Sequence, residues 1–322
     1  MEIDAVITYV DGNDPVLNEK RSRYLKGGQG TQSDVAGSTR FADVGEIFWC
    51  VASLNKFAPW IRKIHIVTDG QDPGLENFMK EHFPSGHIPM EIVDHKVIFR
   101  GYEEYLPTFN SNSIETMTWR IPGLSEHFIE MNDDFMLCAP LSPQDLFTPD
   151  GKQTCYAKVV PILSSKILTF LKPKRKGRKP VTFKRLLLNA VKVSRTHPFW
   201  FLRINHTPRP LLVSCYEKFY AEHPEAIILN IKDRFRDLCQ YVPKEVQFHL
   251  QYKRNKLNVR PYKDVLFYME PKRKKDYVKR KLRKLEEGNY RFCCFNSIDQ
   301  ASAEDRAIVE AWIWQRLGLE KP

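Results

Sequence analysis

The chain has 322 residues, of which 42% are hydrophobic and 28% are charged, and this composition is typical of a globular protein with one large or two modest domains. The formal net charge of +11 predicts anionic partners, which include nucleotide phosphates, nucleic acid and an anionic membrane face. The seven cysteines are scattered and contain no Cys-x-x-Cys pair, so neither a local zinc motif nor a disulfide framework is expected. Free thiols in a reducing compartment fit this pattern.

The hydrophobic runs are too short for membrane insertion. The apolar run in the first ten residues is interrupted early by acidic residues and is shorter than that of a signal peptide. No run approaches the length of about 18 apolar residues that predicts a transmembrane helix. We therefore expect a cytoplasmic protein.

Polar turns follow the predicted strands of the first half. Residues 3–10 predict a buried strand that stops at a turn containing Asp11 and Gly12. Residues 63–68 predict a second strand, which is followed by Asp69, and residues 88–93 predict a third. A carboxylate directly after such a strand is well placed to contact a ligand. An ordinary turn explains residues 13–15 equally well without a ligand.

Helical patterns alternate with these strands. Residues 27–38 are rich in Gly, Ser and Gln and predict a loop, and a helical pattern follows at residues 47–57, with Glu46 at its start. A glutamate at that position is favourable to a helix N-terminus without any further role. A helix at residues 113–120 leads to the next strand. The alternation predicts an α/β fold with a Rossmann-like, mostly parallel sheet, flanking helices and a helical C-terminal half that completes the cleft.

The polar triplet at residues 132–134 lies between two apolar runs of a predicted buried strand segment, residues 128–138. In open α/β sheets ligands bind where the strands end. The adjacent carboxylates of Asp133 and Asp134 can hold a divalent cation, since Mg²⁺ takes one or two carboxylates together with substrate phosphates. An Asx-rich turn that caps the next element explains the same residues without a metal.

Two basic segments stand out in the second half. Residues 172–185 carry eight Lys or Arg and no acid, which fits a solvated loop, contact with an anionic membrane, or acceptor binding. Residues 272–284 carry nine such residues and one Asp, and with Val278, Leu282 and Leu285 they predict an amphipathic helix with a basic face. Further helices are predicted at residues 212–221 and 303–317, the latter with an apolar stripe at Ile308, Ala311, Trp312 and Leu317.

Several stretches together carry a family resemblance: residues 7–15, 40–43 with Glu46, 53–54, 58–64, 66–71, 106–115, 120–125, 128–135, His206 with Pro208, residues 234–236 and residues 294–297. They resemble the Stealth family of sugar-phosphate transferases, which includes bacterial capsule and exopolysaccharide phosphotransferases and the eukaryotic N-acetylglucosamine-1-phosphotransferase. Ser297 stands where the family usually has Asp, and Met117 and Trp119 stand where histidines are frequent. The resemblance omits the first basic segment and residues 240–290.

The resemblance implies transfer of a sugar-1-phosphate from a UDP-hexose or UDP-N-acetylhexosamine to a hydroxyl of a glycan or lipid-linked glycan, with release of UMP. It implies Mg²⁺ or Mn²⁺ on Asp133 and Asp134, because phosphoryl transfer needs positioning and charge neutralisation. It also implies one catalytic unit built from residues 1–160, a basic insert at residues 161–190 and a second half at residues 191–322.

The same resemblance assigns roles to individual residues. His206 takes the proton of the attacking hydroxyl, and Arg234 and Arg236 clamp phosphate oxygens. Asp69 and Asp11 contact nucleotide or metal. The remaining substrate-binding candidates are Gly12, Glu46, Asn110, Asn112, Glu115, Arg120 and Asn296.

Two other classes of function are compatible with the sequence. A metal-dependent UDP-sugar glycosyltransferase would use the same donor and release UDP. A basic binding protein would act through residues 172–185 and 272–284 alone. We expect no nucleic acid partner, and we expect peripheral contact with the inner face of an anionic membrane.

Overall fold

The computed structural model describes residues 1–25, 44–163, 182–196, 199–204, 206–262, 266–269 and 276–321. At its centre lies a five-stranded sheet with the strand order β3-β2-β1-β4-β8. Its strands are β1 (Ile3–Thr8), β2 (Ile64–Thr68), β3 (Met90–Asp94), β4 (His127–Asn132) and β8 (Arg209–Leu212). The first four are parallel and β8 is antiparallel to β4, so the mostly parallel sheet is confirmed.

The strand order creates a topological switch point between β1 and β4. The chain runs outward from β1 to β2 and β3, and then returns to the other side of β1 as β4. Thr8, the last residue of β1, pairs with Val67 on one side and with Asn132 on the other. Crevices at the carboxyl ends of strands at such a point are the usual ligand sites of open α/β sheets.

The inner strands β1, β2 and β4 are buried on both faces of the central sheet, which explains their nearly continuous apolar sequences. In β1, Ile3, Ala5 and Ile7 join one apolar cluster, whereas Val6 joins a second cluster on the opposite face. The flanking helices of the first half are α1 (Pro15–Leu25), α2 (Glu46–Phe57), α3 (Leu75–His82), α4 (His95–Ile98), α5 (Ser111–Met117) and α6 (Pro143–Leu146). Parallel strands covered on both faces by helices have this pattern.

The second half contains strands as well as helices, so the expectation of a helical C-terminal half was incomplete. One three-stranded sheet has the order β10-β11-β5, and another has the order β7-β6-β9. Their strands are β5 (Phe135–Leu137), β6 (Gln153–Pro161), β7 (Trp200–Ile204), β9 (Leu257–Arg260), β10 (Leu266–Met269) and β11 (Phe292–Phe295). The helices are α7 (Phe183–Ser194), α8 (Val213–Glu222), α9 (Pro224–Ile231), α10 (Pro243–Lys253), α11 (Tyr277–Glu287) and α12 (Ala303–Leu317).

Several sequence predictions can be compared directly with these elements. Helix α5 begins two residues before the predicted helix 113–120 and ends at Met117, and the rest of the predicted range is a 3-10 turn over residues 118–120. On α12, Trp312 and Leu317 are buried, but Ala311 is exposed and Val309 takes its place in the core. Helix α11 buries its apolar residues as predicted. The loop 27–38 and residues 172–181 lie outside the described residues.

Within the described ranges, no helix combines the length and the apolar character that crossing a bilayer requires.

Candidate active site

The predicted metal-binding carboxylates form the connection between two sheets. Asp133 and Asp134 are the two residues between β4 of the central sheet and β5 of the neighbouring three-stranded sheet. The backbone N–H of Asp134 donates to Oδ1 of Asp133 at 3.1 Å. Because both ends of this connection are held by strands, the two carboxylates stand at a fixed place beside the switch point.

Antiparallel pairing brings two distant segments to the same connection. Strand β8 runs against β4 with Arg209 opposite Glu130, so His206, which precedes β8, lies towards the carboxyl end of β4. Strand β11 runs against β5 with Cys294 opposite Phe135. As a result, the ligating atoms of Asp134, His206 and Cys294 all lie within 4.8 Å of one another. We call these three residues the Asp–His–Cys cluster.

The electrostatic environment of the Asp–His–Cys cluster suits a neutral imidazole. Burial, with the positive charges of Arg209 and Lys244, lowers the pKa of His206 to about 4, so its ring is unprotonated at pH 7. Burial raises the pKa of Asp134, while the thiol of Cys294 and the charge of Arg209 oppose that shift. The Cys294 thiol donates to Oδ2 of Asp134 at 3.4 Å. A neutral imidazole can accept a proton.

Arg209 is a further charged residue beside the Asp–His–Cys cluster, and it was not among the predicted site residues. Only 6% of its surface is exposed, and its guanidinium lies 5.0 Å from the ring centroid of Phe135. The ring of Phe135 also meets the His206 ring edge-on, with centroids 5.6 Å apart. Arg209 stands three residues after His206, and this nearness to a predicted catalytic residue was the signal that could have identified it.

The turns after β1 and β2 form one hydrogen-bonded network. The side chain of Gln71 accepts from the backbone N–H of Asp11 at 3.0 Å and donates to the Asp11 carbonyl at 2.9 Å. It also donates to Oδ2 of Asp14 at 2.9 Å, and this hydrogen bond lowers the pKa of Asp14. Asp69 accepts from Lys20 Nζ at 3.0 Å. The structure thus brings Asp11, with its neighbour Gly12, close to the turn that contains Asp69.

The two arginines predicted to clamp phosphates lie against the start of helix α5. Arg236 Nη2 donates to Ser111 Oγ at 2.7 Å. Arg234 Nη2 donates to the carbonyls of residues 104 and 106, and its guanidinium lies 4.6 Å from the ring centroid of Tyr24. Asn110 caps α5 through its side chain and also donates to the Asp233 carbonyl at 3.2 Å. Asn110, Arg234 and Arg236 therefore belong to one wall, together with the buried Asn112.

Two of the remaining substrate-binding candidates have structural partners. Glu115 accepts from Lys244 Nζ at 2.9 Å, and Lys244 also binds Glu130 at 2.5 Å, all three being buried. Arg120 donates to the carbonyls of Ile98 and Arg100, each at 2.6 Å. These contacts account for Glu115 and Arg120 without a ligand, and their substrate roles stay predictions.

The last two candidates lie near chain turns. Glu46 begins helix α2, and its Oε2 accepts from the Val44 N–H at 2.8 Å, as expected for a carboxylate at a helix N-terminus. Asn296 follows β11 and donates to Ser297 Oγ at 2.8 Å. Asn296 is two residues beyond Cys294 along the chain, and its substrate role stays a prediction.

Comparison with known proteins identifies the family. The family description "Stealth protein CR2, conserved region 2" matches residues 40–155. A capsular polysaccharide phosphotransferase of Haemophilus influenzae is 32% identical over 305 residues, which cover 90% of this chain and 77% of that protein. The chain belongs to the Stealth family.

Other Stealth relatives differ in how much of their length they share. A capsular polysaccharide phosphotransferase of Streptococcus pneumoniae is 32% identical over 73% of this chain and 74% of its own length. An exopolysaccharide phosphotransferase of Streptomyces coelicolor is 42% identical over 149 residues, but this chain spans only 26% of that protein. A solved galactosyltransferase, LgtC, covers 99% of this chain at 12% identity and a TM-score of 0.47, a likeness too low to support any inference.

The residues at the switch point of this Stealth protein fit a divalent cation. Oδ1 of Asp134 is buried and has no hydrogen-bond partner among the described residues, and Asp133 offers a second, half-buried carboxylate. Carboxylate oxygens are the ligands that Mg²⁺ and Mn²⁺ prefer. When bound, such a cation would supply Lewis-acid stabilisation of phosphate charge. The nitrogen and sulfur atoms of His206 and Cys294 make this donor set broader than the sequence predicted.

Proposed function

We propose that this protein transfers a sugar-1-phosphate from a UDP-sugar to a hydroxyl of a glycan acceptor, forming a phosphodiester and releasing UMP, in the synthesis of a capsule or other cell-surface polysaccharide. The single observation that carries the proposal is the meeting of His206 and Asp134 at the switch point of the sheet. Membership of the Stealth family supports the reaction class, and the names of its capsular relatives support the acceptor class.

In the proposed reaction the acceptor oxygen attacks the phosphorus that carries the sugar. The bond from this phosphorus to the acceptor oxygen forms, the pyrophosphate bond to UMP breaks, and the hydroxyl proton passes to His206. General base catalysis of this kind contributes roughly 10²–10⁴-fold to a rate. The neutral state of the buried His206 imidazole at pH 7 makes it available for that proton.

Two groups of residues would neutralise the negative charge of the phosphates in this reaction. Asp133 and Asp134 would hold Mg²⁺ or Mn²⁺ against the diphosphate. Arg234 and Arg236, which stand on the wall formed with Asn110, would contact phosphate oxygens, since a guanidinium fork suits them. Asp11 and Asp69 would contact the nucleotide or the metal, and Gly12, Glu46, Asn112, Glu115, Arg120 and Asn296 complete the proposed donor-binding set.

The proposal is tested by incubating the protein with UDP-sugars, Mg²⁺ and candidate glycans and measuring UMP. We expect UMP release by the wild type and a loss of at least about 100-fold in His206→Gln, with an unchanged circular dichroism spectrum. His82→Gln is the matched control, because His82 lies at the end of α3 and away from the Asp–His–Cys cluster. Unchanged turnover in His206→Gln would remove His206 as the base, and release of UDP would identify a glycosyltransferase.

A further inference from the structure

The donor atoms of the Asp–His–Cys cluster differ in kind from those of a purely carboxylate site. Asp134 offers oxygen, His206 offers nitrogen and Cys294 offers sulfur. Imidazole and thiolate ligands select zinc-class cations, whereas Mg²⁺ prefers oxygen ligands throughout. The cluster therefore contains chemistry that a magnesium-dependent transfer reaction does not need.

We propose that Asp134, His206 and Cys294 form a binding site for a thiophilic divalent cation of the zinc class, and that occupation of this site blocks the transfer reaction. The binding part of the proposal stands on the cluster alone. The inhibition part rests on the proposed function, because it assumes that His206 acts there as a base.

The spacing of the three ligands is close to that of a zinc site. Zn–S and Zn–N bonds of about 2.3 and 2.1 Å at tetrahedral angles imply ligand separations of about 3.6 Å. The Cys294 sulfur lies 3.4 Å from Oδ2 of Asp134, and the complete set lies within 4.8 Å. Small side-chain rotations would shorten a separation of 4.8 Å to about 3.6 Å. The paired strands β5 and β11 already hold Cys294 beside the connection that contains Asp134.

Burial and an unsatisfied carboxylate oxygen support a ligand at this place. Cys294 is fully buried, and Oδ1 of Asp134 is buried with no hydrogen-bond partner among the described residues. Buried polar atoms in native proteins are nearly always satisfied, so an orphaned oxygen beside a thiol and an imidazole needs an explanation. A cation bound to the cluster supplies one.

Binding of the cation releases the thiol proton of Cys294 and occupies the lone pair of His206. The thiol proton, which Oδ2 of Asp134 now accepts, leaves to solvent as the Cys294 sulfur binds the cation. The Asp134 carboxylate and the Cys294 thiolate then neutralise the charge of the dication, and the positive charge of Arg209 beside them favours the thiolate. The His206 lone pair is used in the metal bond, so the imidazole can no longer accept the proton of an acceptor hydroxyl.

Cobalt(II) tests the binding part, because a thiolate–cobalt bond gives an intense near-ultraviolet charge-transfer band. We expect Co²⁺ to produce this band in the wild type and Zn²⁺ to abolish it, and we expect no band in Cys294→Ser. Cys293→Ser is the buried control and Cys239→Ser is the exposed control, and both keep the band. His206→Gln should weaken Co²⁺ binding at least tenfold. This second variant tests the same site if Cys294→Ser does not fold.

The proposal is overturned if Co²⁺ binds the wild type without a thiolate band, or if Cys294→Ser folds and keeps the band. In the activity arm, Zn²⁺ should suppress UMP release at saturating Mg²⁺, chelation should restore it, and Cys294→Ser should need at least ten times more Zn²⁺. Equal sensitivity of the two proteins overturns the inhibition part. A cobalt band in a protein without transferase activity would contradict the proposed function and leave the metal site standing.

Discussion

At the scale of single residues, the most unusual feature is a buried charged triad beside the candidate site. Lys244 on α10 is 3% exposed and binds both Glu115 and Glu130, which are equally buried. Burial raises the pKa of Glu130, and the charge of Lys244 opposes that shift. One cation thus stabilises two buried carboxylates, so its removal should be costly.

We expect Lys244→Met to destabilise the fold by about 3–5 kcal/mol, because it leaves two buried carboxylates without their counter-charge. Urea unfolding at pH 7 measures this. Lys80→Met is the control, since Lys80 pairs with Glu76 on an exposed helix face and should contribute under about 0.5 kcal/mol. A loss below about 1 kcal/mol in Lys244→Met would contradict the triad.

A second residue-scale prediction concerns Glu245, the neighbour of Lys244. Burial raises the pKa of Glu245 to about 8, although the charges of Arg209 and Lys244 oppose this, and His249 Nε2 lies 3.8 Å away. Between its ordinary pKa of 4.5 and 8, the folded protein holds a proton that the unfolded chain has lost. Stability from this group is therefore complete at low pH and declines as the pH rises through this window.

The measurement is the unfolding free energy of wild type and Glu245→Gln between pH 5 and pH 8. The glutamine cannot titrate, so its contribution to the unfolding free energy does not change with pH. As the pH rises, the unfolding free energy of the wild type should therefore fall relative to that of Glu245→Gln, by up to about 1.4 kcal/mol per pH unit. Parallel pH profiles of the two proteins would show that Glu245 titrates normally.

The site residues divide by how far the sequence could identify them. Asp133 and Asp134 follow a strand, so local pattern alone located them. His206 came from the family resemblance, because a histidine before Thr-Pro has no local signature. No local pattern indicated that Lys244 would face Glu115, since that contact joins two helices far apart in the chain. A single buried cysteine has no sequence signature, so the position of Cys294 beside Asp134 was not predictable.

At the scale of elements, two antiparallel pairings assemble the site from distant segments. Strand β8 places His206, and strand β11 places Cys294, beside the connection between β4 and β5. The strands β1 to β3 and helix α2 were predictable, since each has its own hydrophobic period and turn. The strands that pair with β8 and β11 were not predictable, because the sequence of a strand does not determine which edge of which sheet it joins.

Helix α11 carries the element-scale prediction for the membrane. Its apolar residues are buried, while Lys279, Arg280, Arg283 and Lys284 are exposed. We expect sedimentation with vesicles rich in phosphatidylserine and none with neutral vesicles. Exchange of these four residues for Gln should weaken binding by about 4 kcal/mol, or roughly 10³-fold, at about 1 kcal/mol for each charge near the surface.

The matched control exchanges four exposed lysines on other elements for Gln: Lys80, Lys218, Lys253 and Lys256. It removes the same total charge, so it should leave most of the vesicle binding intact. If both quadruple variants bind equally weakly, the attraction comes from net charge, and α11 has no special part in it.

At the scale of the whole molecule, the switch point between β1 and β4 unites the features of the proposed centre. The carboxyl ends of four parallel strands meet at one edge, and Asp11, Asp69 and Asp134 all follow strands at that edge. The later half of the chain adds His206 and Cys294 to this edge, beside Asp134. The parallel arrangement was predicted from the alternating elements, and the added sheets of the second half were not.

The fate of the sugar-bound phosphorus atom distinguishes transfer of a sugar-1-phosphate from transfer of the sugar alone. A UDP-sugar labelled with radioactive phosphorus only at the sugar-bound phosphate is incubated with the protein, Mg²⁺ and the acceptor that supports turnover. We expect the label to appear in the acceptor together with the sugar, unlabelled UMP as the other product, and neither product with Asp134→Asn. Transfer of the sugar to the acceptor with the label retained in UDP would contradict the account.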